Sequence, residues 1–364
     1  MTGTESLLSI AKRFDIEGDI IRIESLGNGL INDTYRIVTS DPAPDYVLQR
    51  INNAIFKDVG LLQHNIEAVT GHIRAELEAA GESDIDRKVL RYIRPKGSGK
   101  TYLLEEDKYW RVSVFIPDSF TRETADAENS YFAGKAFGNF EAMLADLPET
   151  LGETIPDFHN MELRSRQLKE AVAADAAGRV DDPEVQDFLK DIAAYDDEMC
   201  KAERMYREGL LPKRICHCDT KVNNMLFDMD GNILCVIDLD TVMPGFVFSD
   251  IGDFLRNAAN TVAEDSPETD KVAFRMDIFK AFVKGYLESA SCFLTPVEKE
   301  NIPYSALLFP YMQAVRFLAD YINGDTYYKI QYPEHNLVRT RNQMALFHSV
   351  LDHLDEMKEF VDSI

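Results

Sequence analysis

The chain of 364 residues carries 39 Lys and Arg against 63 Asp and Glu, a formal net charge of −24, with 45% hydrophobic residues. That length exceeds one ordinary hydrophobic core and fits two lobes. The acidic balance argues against nucleic acid and anionic membrane as partners, because both recruit basic faces. ATP is still compatible, since its site needs only a local positive field and a divalent cation. No run approaches the roughly 18 apolar residues of a membrane span. Met1 to Asp15 lacks the apolar core of a signal peptide. Five cysteines, odd in number and placed mostly in core elements, point to a reducing cytoplasm.

In chain order, residues 4–14 read as a short amphipathic helix. A β-rich run from Ile20 to Leu26 leads into Gly27-Asn28-Gly29-Leu30-Ile31-Asn32 and a second strand through Val38. Two glycines between strands let backbone N–H groups close over phosphates, and they equally suit an ordinary hairpin. Tyr46–Ile51 is a third strand, whose alternation sends Gln49 and Arg50 to opposite faces, so only one of them can enter a cleft. Residues 61–80 have helical spacing, with Glu67 either a partner for a cleft residue or part of a solvated face. The runs 88–93, 101–104 and 109–116 complete an expected five-stranded antiparallel sheet that stops at Pro117. Strand composition gives way there to long amphipathic helices, which predicts a lobe over 1–116 and a mainly helical lobe over 117–364. Helices are expected over about 125–147, 161–176, 183–208, 270–290, 302–322 and 336–361.

The chemistry concentrates in Cys216-His217-Cys218-Asp219-Thr220-Lys221-Val222-Asn223-Asn224 and in Ile237-Asp238-Leu239-Asp240. Between them, 224–227 and 233–237 read as strands joined at Asp230-Gly231-Asn232, a hairpin that would bring Asn224 and Asp238 together at its open end. Phosphoryl transfer uses such a set, with one carboxylate orienting the acceptor hydroxyl while an amide oxygen and a second carboxylate hold Mg2+. Taken singly, each of Asp219, Asn224 and Asp238 reads equally well as a turn residue satisfying backbone groups. His217 reads as a packing residue beneath the loop, and the Cys-His-Cys triplet lacks the second pair a zinc site needs. Ser249-Asp250 opens a helix, either as its N-cap or as a brace for the loop carrying Asp219. Tyr327 and Tyr328, with Arg339 and Arg341, suit either a polar pocket wall or a helix junction.

These residues resemble a known family. The glycine loop with Asn32 and Tyr35, the HCDTKVNN segment at 217–224 and IDLD at 237–240 resemble the aminoglycoside phosphotransferase and choline kinase superfamily. VLQRIN at 47–52, RFLADYINGDTYY at 316–328 and YPEHNLVRTRNQ at 332–343 are similar to its N-acetylhexosamine 1-kinase branch. The resemblance implies an α+β, bilobal protein-kinase-like fold and ATP-dependent phosphorylation of the anomeric hydroxyl of N-acetylglucosamine or N-acetylgalactosamine. It implies Asp219 as the catalytic residue and Asn224 and Asp238 as Mg2+ ligands. Gly27, Asn28, Gly29, Asn32, Gln49 and the hinge residues Phe115 and Ile116 would contact ATP. Ile23, Arg316 and Tyr327, with Asp219, would shape the sugar site. Gln49 stands where kinases of this fold usually place a lysine. Two positions depart from the branch: Leu30 replaces a histidine in the glycine loop, and Asn257 replaces an aromatic near the sugar. The alternatives are a kinase of another small alcohol (a different sugar, an aminoglycoside or a choline-like acceptor) and a non-catalytic nucleotide-binding module. The expected partners are ATP and a small sugar, the protein acting as monomer or homodimer.

Overall fold

The computed structural model describes residues 3–27 and 32–364, so Asn28, Gly29, Leu30 and Ile31 lie outside the described residues. The chain forms two compact units. One takes residues 1–121, 143–156 and 224–243; the other takes 122–142, 157–223 and 244–364.

The first unit opens with α1 (Gly3–Ala11), β1 (Ile20–Ser25), β2 (Asp33–Thr39), β3 (Tyr46–Ile51), α2 (Val59–Ala79) and the helical turn α3 (Ile85–Lys88). It continues through β4 (Tyr92–Ile93), β5 (Tyr102–Glu105), β6 (Lys108–Val114) and β7 (Ser119–Phe120). The sheet runs β1-β2-β3-β6-β4, with β5 paired to β6, and its ladders are antiparallel. It therefore has six strands, one for each of the six runs named from the sequence, and the expected total of five is corrected to six. β5 pairs with β6 through a tight turn in which Glu106 and Asp107 take φ of 49° and 60°, the sign of both central residues of a type I′ hairpin. One face is apolar: Ile37, Tyr46, Leu48, Trp110 and Val112 pack with Ile10 and Phe14 of the N-terminal segment. Asp58 caps α2 by accepting the Leu61 N–H at 2.9 Å.

In the second unit α4 (Ala127–Met143), α5 (Met161–Ala174), α6 (Pro183–Met199) and α7 (Lys201–Arg207) lead to the short strand β8 (Arg214–Cys216). The chain returns to the first unit with β9 (Met225–Asp228) and β10 (Ile233–Val236), a hairpin whose β9 also pairs with β7. It then re-enters the second unit for α8 (Phe248–Ala258), α9 (Met276–Ala290), α10 (Pro296–Glu300), α11 (Ile302–Ile322), α12 (His335–Asp352) and α13 (Leu354–Asp362). The stretch expected as one helix over 336–361 is broken at His353, whose ring bonds the Ser349 carbonyl at 2.7 Å. α11 is buried almost all round, with α5, α8 and α12 packed on it, as a helix apolar on every face must be. α4 and α9 cross with their backbones in contact: a Cβ on Gly134 would fall 2.0 Å from the Phe282 carbonyl oxygen, and one on Gly285 2.1 Å from that of Tyr131. No helix among the described residues is long and apolar enough to cross a membrane.

Candidate active site

The hairpin β9–β10 closes as its turn signal predicts. The Ile237 N–H donates to the Asn224 carbonyl at 2.9 Å, which sets Asn224 and Asp238 at the same end. Asp238 adopts the left-handed conformation (φ 59°, ψ 57°), which Asp tolerates better than most side chains, and a 3-10 turn over 239–241 follows. Asp240 is 3% exposed and fully engaged: one carboxylate oxygen accepts from Asn32 Nδ2 at 2.6 Å, the other from Arg111 Nη1 at 2.5 Å. Of the two carboxylates in this turn, Asp240 is therefore the structural one. Asn224 and Asp238 stand at the same end of the hairpin, and an amide oxygen and a carboxylate are donor types that fit Mg2+.

Arg111 organises this side of the site. Sheet register places Thr34 opposite Gln49 and Gln49 opposite Arg111, so the three side chains form a row across β2, β3 and β6. Gln49 accepts from Arg111 Nε at 2.9 Å and donates to Thr34 Oγ1 at 3.2 Å, while Asn32 accepts the Asn52 N–H at 3.0 Å. Burial opposes the Arg111 charge, yet the Asp240 carboxylate more than offsets it and raises the guanidinium's pKa; burial pushes neighbouring Tyr92 up to about 12. Arg50 faces the other way and pairs with Asp33, its cross-strand neighbour, at 2.5 Å. Gln49 thus belongs to a network built on a buried cation from β6, which the sequence reading did not single out. Its only sequence signal is an arginine set within the apolar run of Tyr109–Ile116.

The other expected contacts in this unit fall as follows. Gly27 has φ 70°, and among the described residues nothing lies within 4 Å of where a Cβ would stand. Ile23 is half-buried against the sheet core. The Phe115 N–H donates to the Asp45 carbonyl at 2.9 Å, and the Arg36 guanidinium lies 4.2 Å from the Phe115 ring centroid. Ile116 is buried, its carbonyl accepting from Ser119 Oγ at 2.7 Å. Glu67 accepts from Thr101 Oγ1 at 2.7 Å and approaches Arg94 at 3.6 Å, which ties it to its own helix surroundings.

In the second unit, the loop after β8 is held from below. Asp250 accepts the His217 N–H at 2.8 Å and the Cys218 N–H at 2.7 Å, and its own carbonyl accepts from Thr220 Oγ1 at 2.7 Å. Asp250 is therefore the brace; the α8 N-cap is Val247, without a side-chain bond. Cys218 is left-handed (φ 63°), so the chain turns sharply just before Asp219. His217 is fully buried, edge-on to Phe137 and Phe140, and fills the packing role expected of it. Beneath Asp250 lies a second buried carboxyl, Glu141 of α4, which accepts a hydrogen bond from Tyr286. Glu141 Oε1 has no donor, and it faces Asp250 with Cys216 beside both. Burial pushes both carboxyls up, Glu141 well above the usual range. One proton between two acceptors satisfies both, and it sits on Glu141 because Asp250 already accepts two backbone N–H groups.

Asp219 pairs with Lys221 at 2.5 Å. Beside them Asp253 is pushed up to about 6 by burial, with Arg256 and Lys221 opposing and Asp219 reinforcing the shift. A cavity of about 220 Å³ opens here, lined by Thr220, Lys221, Asn223 and Asn257 among others. Asn257 donates to the Asp253 carbonyl at 3.0 Å. Arg316 and Tyr327 are brought together on a larger cavity of about 420 Å³. Asp320 shapes its wall by accepting the N–H groups of Thr326, Tyr327 and Tyr328 at 2.9, 2.8 and 3.0 Å. The Arg316 guanidinium lies 5.9, 6.0 and 5.6 Å from the rings of Phe158, Tyr327 and Tyr328. Arg341 forks onto Glu184 at 2.7 and 2.9 Å, and Arg339 covers Phe317, so both serve helix junctions.

The structure is similar to those of an aminoglycoside phosphotransferase from Alicyclobacillus acidocaldarius (TM-score 0.63, 13% identity, covering 98% of this chain and 96% of that one) and a choline kinase from Cryptosporidium parvum (0.58, 14%, 99% and 99%). It is also similar to the choline kinase LicA from Streptococcus pneumoniae (0.51, 13%, 95% and 97%). At such identities the likeness establishes the protein-kinase-like fold. The profile of the phosphotransferase enzyme family matches residues 22–287, from β1 into α9. On that match, spanning the hairpin, the braced loop and the sheet row described above, the chain belongs to the phosphotransferase enzyme family and is a phosphotransferase with an alcohol group as acceptor.

Proposed function

We propose that the protein is an ATP- and Mg2+-dependent kinase that phosphorylates the anomeric hydroxyl of an N-acetylhexosamine, giving the sugar 1-phosphate. The observation that carries the reading is the joint placement of Arg316 and Tyr327 on one cavity wall in the unit that also holds Asp219. The lobe over 1–116 would take the nucleotide, Gly27, Asn28, Gly29, Asn32 and Gln49 being assigned to the phosphates and Phe115 and Ile116 to the base by the family resemblance. The lobe over 117–364 takes the sugar through Arg316, Tyr327 and Asp219, and Ile23 is assigned to the sugar by the family resemblance alone. Asn224 and Asp238 would hold Mg2+, whose charge offsets that of the β- and γ-phosphates. Asp219 accepts the hydrogen bond of the anomeric hydroxyl and aims its oxygen at the γ-phosphorus. Because that hydroxyl is more acidic than an ordinary alcohol, orientation outweighs deprotonation, and positioning carries most of the rate. Arg111 fixes Asp240 in the turn that carries Asp238, and Asp250 fixes the loop that carries Asp219. The five cysteines are thiols, in keeping with a cytoplasmic protein.

A second reading keeps the kinase and changes the acceptor. Asn257, in place of an aromatic, lines the cavity beside Lys221, and a polar wall there alters which hydroxyls are read. The test is ATP-dependent phosphorylation of N-acetylglucosamine, N-acetylgalactosamine, glucose, galactose, choline and kanamycin, with product regiochemistry by NMR. A hexosamine 1-phosphate is expected. Turnover on another acceptor alone would move the substrate, and silence on all six would overturn the hexosamine reading. Asp219→Asn should lower kcat by about 10²–10⁴ while nucleotide binding persists; near-normal turnover would remove Asp219 from the chemistry.

A further inference from the structure

The chain is strongly acidic, yet the larger cavity gathers two arginines that form no ion pair among the described residues. Arg164 of α5 and Arg316 of α11 line it together with Tyr327 and Tyr328. Arg164 donates to Gln167 Oε1 and to the Asp157 and Phe158 carbonyls, and Arg316 donates to Gln313 Oε1 at 2.7 Å; among the described residues neither makes an ion pair. The acids on the same wall form no ion pair with them. Asp320 spends its oxygens on the N–H groups of 326–328 and on Asn336, and Glu170 pairs with neither arginine. Two buried donors remain unmatched, Arg164 Nε and the Tyr328 hydroxyl.

The local field is correspondingly positive. Burial and the neighbouring Arg316 guanidinium bring Arg164 down to about 10. The adjacent His159 imidazole is pushed well below its usual range, by burial first and then by Arg316, Arg164 and Arg256. Arg256 is already paired with Glu264 and Asp253; Arg164 and Arg316 are not. Like charges held together in a partly buried cleft are unfavourable unless an anion joins them, and a guanidinium fork matches an oxyanion through two parallel donors.

We propose that this cavity binds an anionic substituent of the acceptor, a carboxylate or a sulfate or phosphate ester on the sugar, between Arg164 and Arg316 with the Tyr328 hydroxyl as a further donor. The proposal rests on the reading of this cavity as the acceptor site and narrows its substrate class to charged hexosamines or uronic acids. The substituent is a recognition handle distant from the reacting hydroxyl, so its binding contributes orientation without changing the phosphoryl-transfer step.

The test is calorimetric binding and turnover of N-acetylglucosamine, its 6-sulfate and 6-phosphate, and glucuronic acid, on wild type, Arg164→Gln and Arg316→Gln. At least one anionic sugar should bind about tenfold or more tighter than the neutral one, the worth of one charge-assisted hydrogen bond. That preference should collapse in both variants and weaken as salt is raised. Which acceptor wins separates the ester from the carboxylate. Because Arg164 also holds two carbonyls, Arg164→Lys controls for folding: it keeps the charge and should keep part of the preference. Equal binding of neutral and anionic sugars, with the neutral one phosphorylated, overturns this proposal and leaves the kinase reading intact. A tightly bound anionic sugar that yields no 1-phosphate upholds the anion site and overturns the hexosamine 1-kinase. Binding of none of the four overturns both.

Discussion

Glutamine at position 141 should make the protein more stable as pH rises, although it removes a hydrogen-bonded buried acid. Glu141 is 2% exposed, accepts from Tyr286 and meets Asp250 through an oxygen that has no donor. The contact is satisfied only while Glu141 keeps its proton. In the unfolded chain Glu141 ionises near its ordinary value of about 4.3, whereas in the folded chain it holds the proton well above that. A raised folded-state pKa means that the stabilisation is complete below about pH 4.3 and is lost progressively as pH rises toward the folded value. The loss accumulates at about 1.4 kcal/mol per pH unit. Gln presents an N–H2 where the carboxyl O–H stood and an oxygen where Tyr286 donates, so Glu141→Gln keeps both bonds without the proton cost. The difference in unfolding free energy between Glu141→Gln and wild type should therefore grow with that slope from about pH 4.3 and level off at the folded pKa. Guanidinium denaturation followed by far-UV circular dichroism, which reports mainly the helical unit, measures it across a pH series. A difference that does not change with pH would mean that Glu141 is ionised in the fold, and the shared-proton account would fail. Turnover should survive in Glu141→Gln and fall in Glu141→Ala, which leaves Asp250 without its donor.

Three further outcomes follow from the packing and charge network. Arg111→Met strands the buried Asp240 carboxylate and should cost about 3–5 kcal/mol; the emission of Trp110, the only tryptophan and its neighbour in β6, reports the shift in midpoint. Gly134→Ala forces a Cβ to within 2.0 Å of the Phe282 carbonyl and should cost about 2 kcal/mol or more, whereas Gly71→Ala in α2, with nothing within 4 Å, should gain about 0.5–1 kcal/mol. Thermal melts of the two variants check the opposite signs. As pH falls through about 6, Asp253 takes up a proton beside Asp219, Lys221 and Arg256, so kcat/KM should fall there with one acid limb; Asp253→Asn should remove that limb, and an unchanged profile would refute the link.

What was legible in the sequence was local. The Asp-Gly-Asn turn announced the hairpin, and the hairpin alone sufficed to set Asn224 and Asp238 at one end. Strand alternation correctly separated Gln49 from Arg50, but it could not supply their partners. Arg50 found Asp33 across the ladder, and Gln49 found Arg111, 62 residues away. Asp240 and Arg111 are 129 residues apart, and no periodicity in either segment signals that they meet. Asp250 stayed ambiguous because an aspartate at a helix start looks the same as a cap or as a brace; only the N–H groups it receives distinguish them. The break at His353 was hidden for a similar reason, since α12 and α13 share an apolar spacing that continues across it.

The chain crosses from one unit to the other five times, at 121/122, 142/143, 156/157, 223/224 and 243/244. During synthesis the six-stranded sheet is complete once Val114 has emerged, but the β9–β10 hairpin and the carboxylate of Asp240 arrive more than a hundred residues later. Until then the nascent first unit carries Arg111 as a cation without its anion, and β7 lacks the strand it pairs with. A fragment cut at Thr121 would stop permanently in that condition. The first unit therefore matures only after much of the second has left the ribosome, which binds the two into a common folding schedule and makes no single cleavage point a natural border.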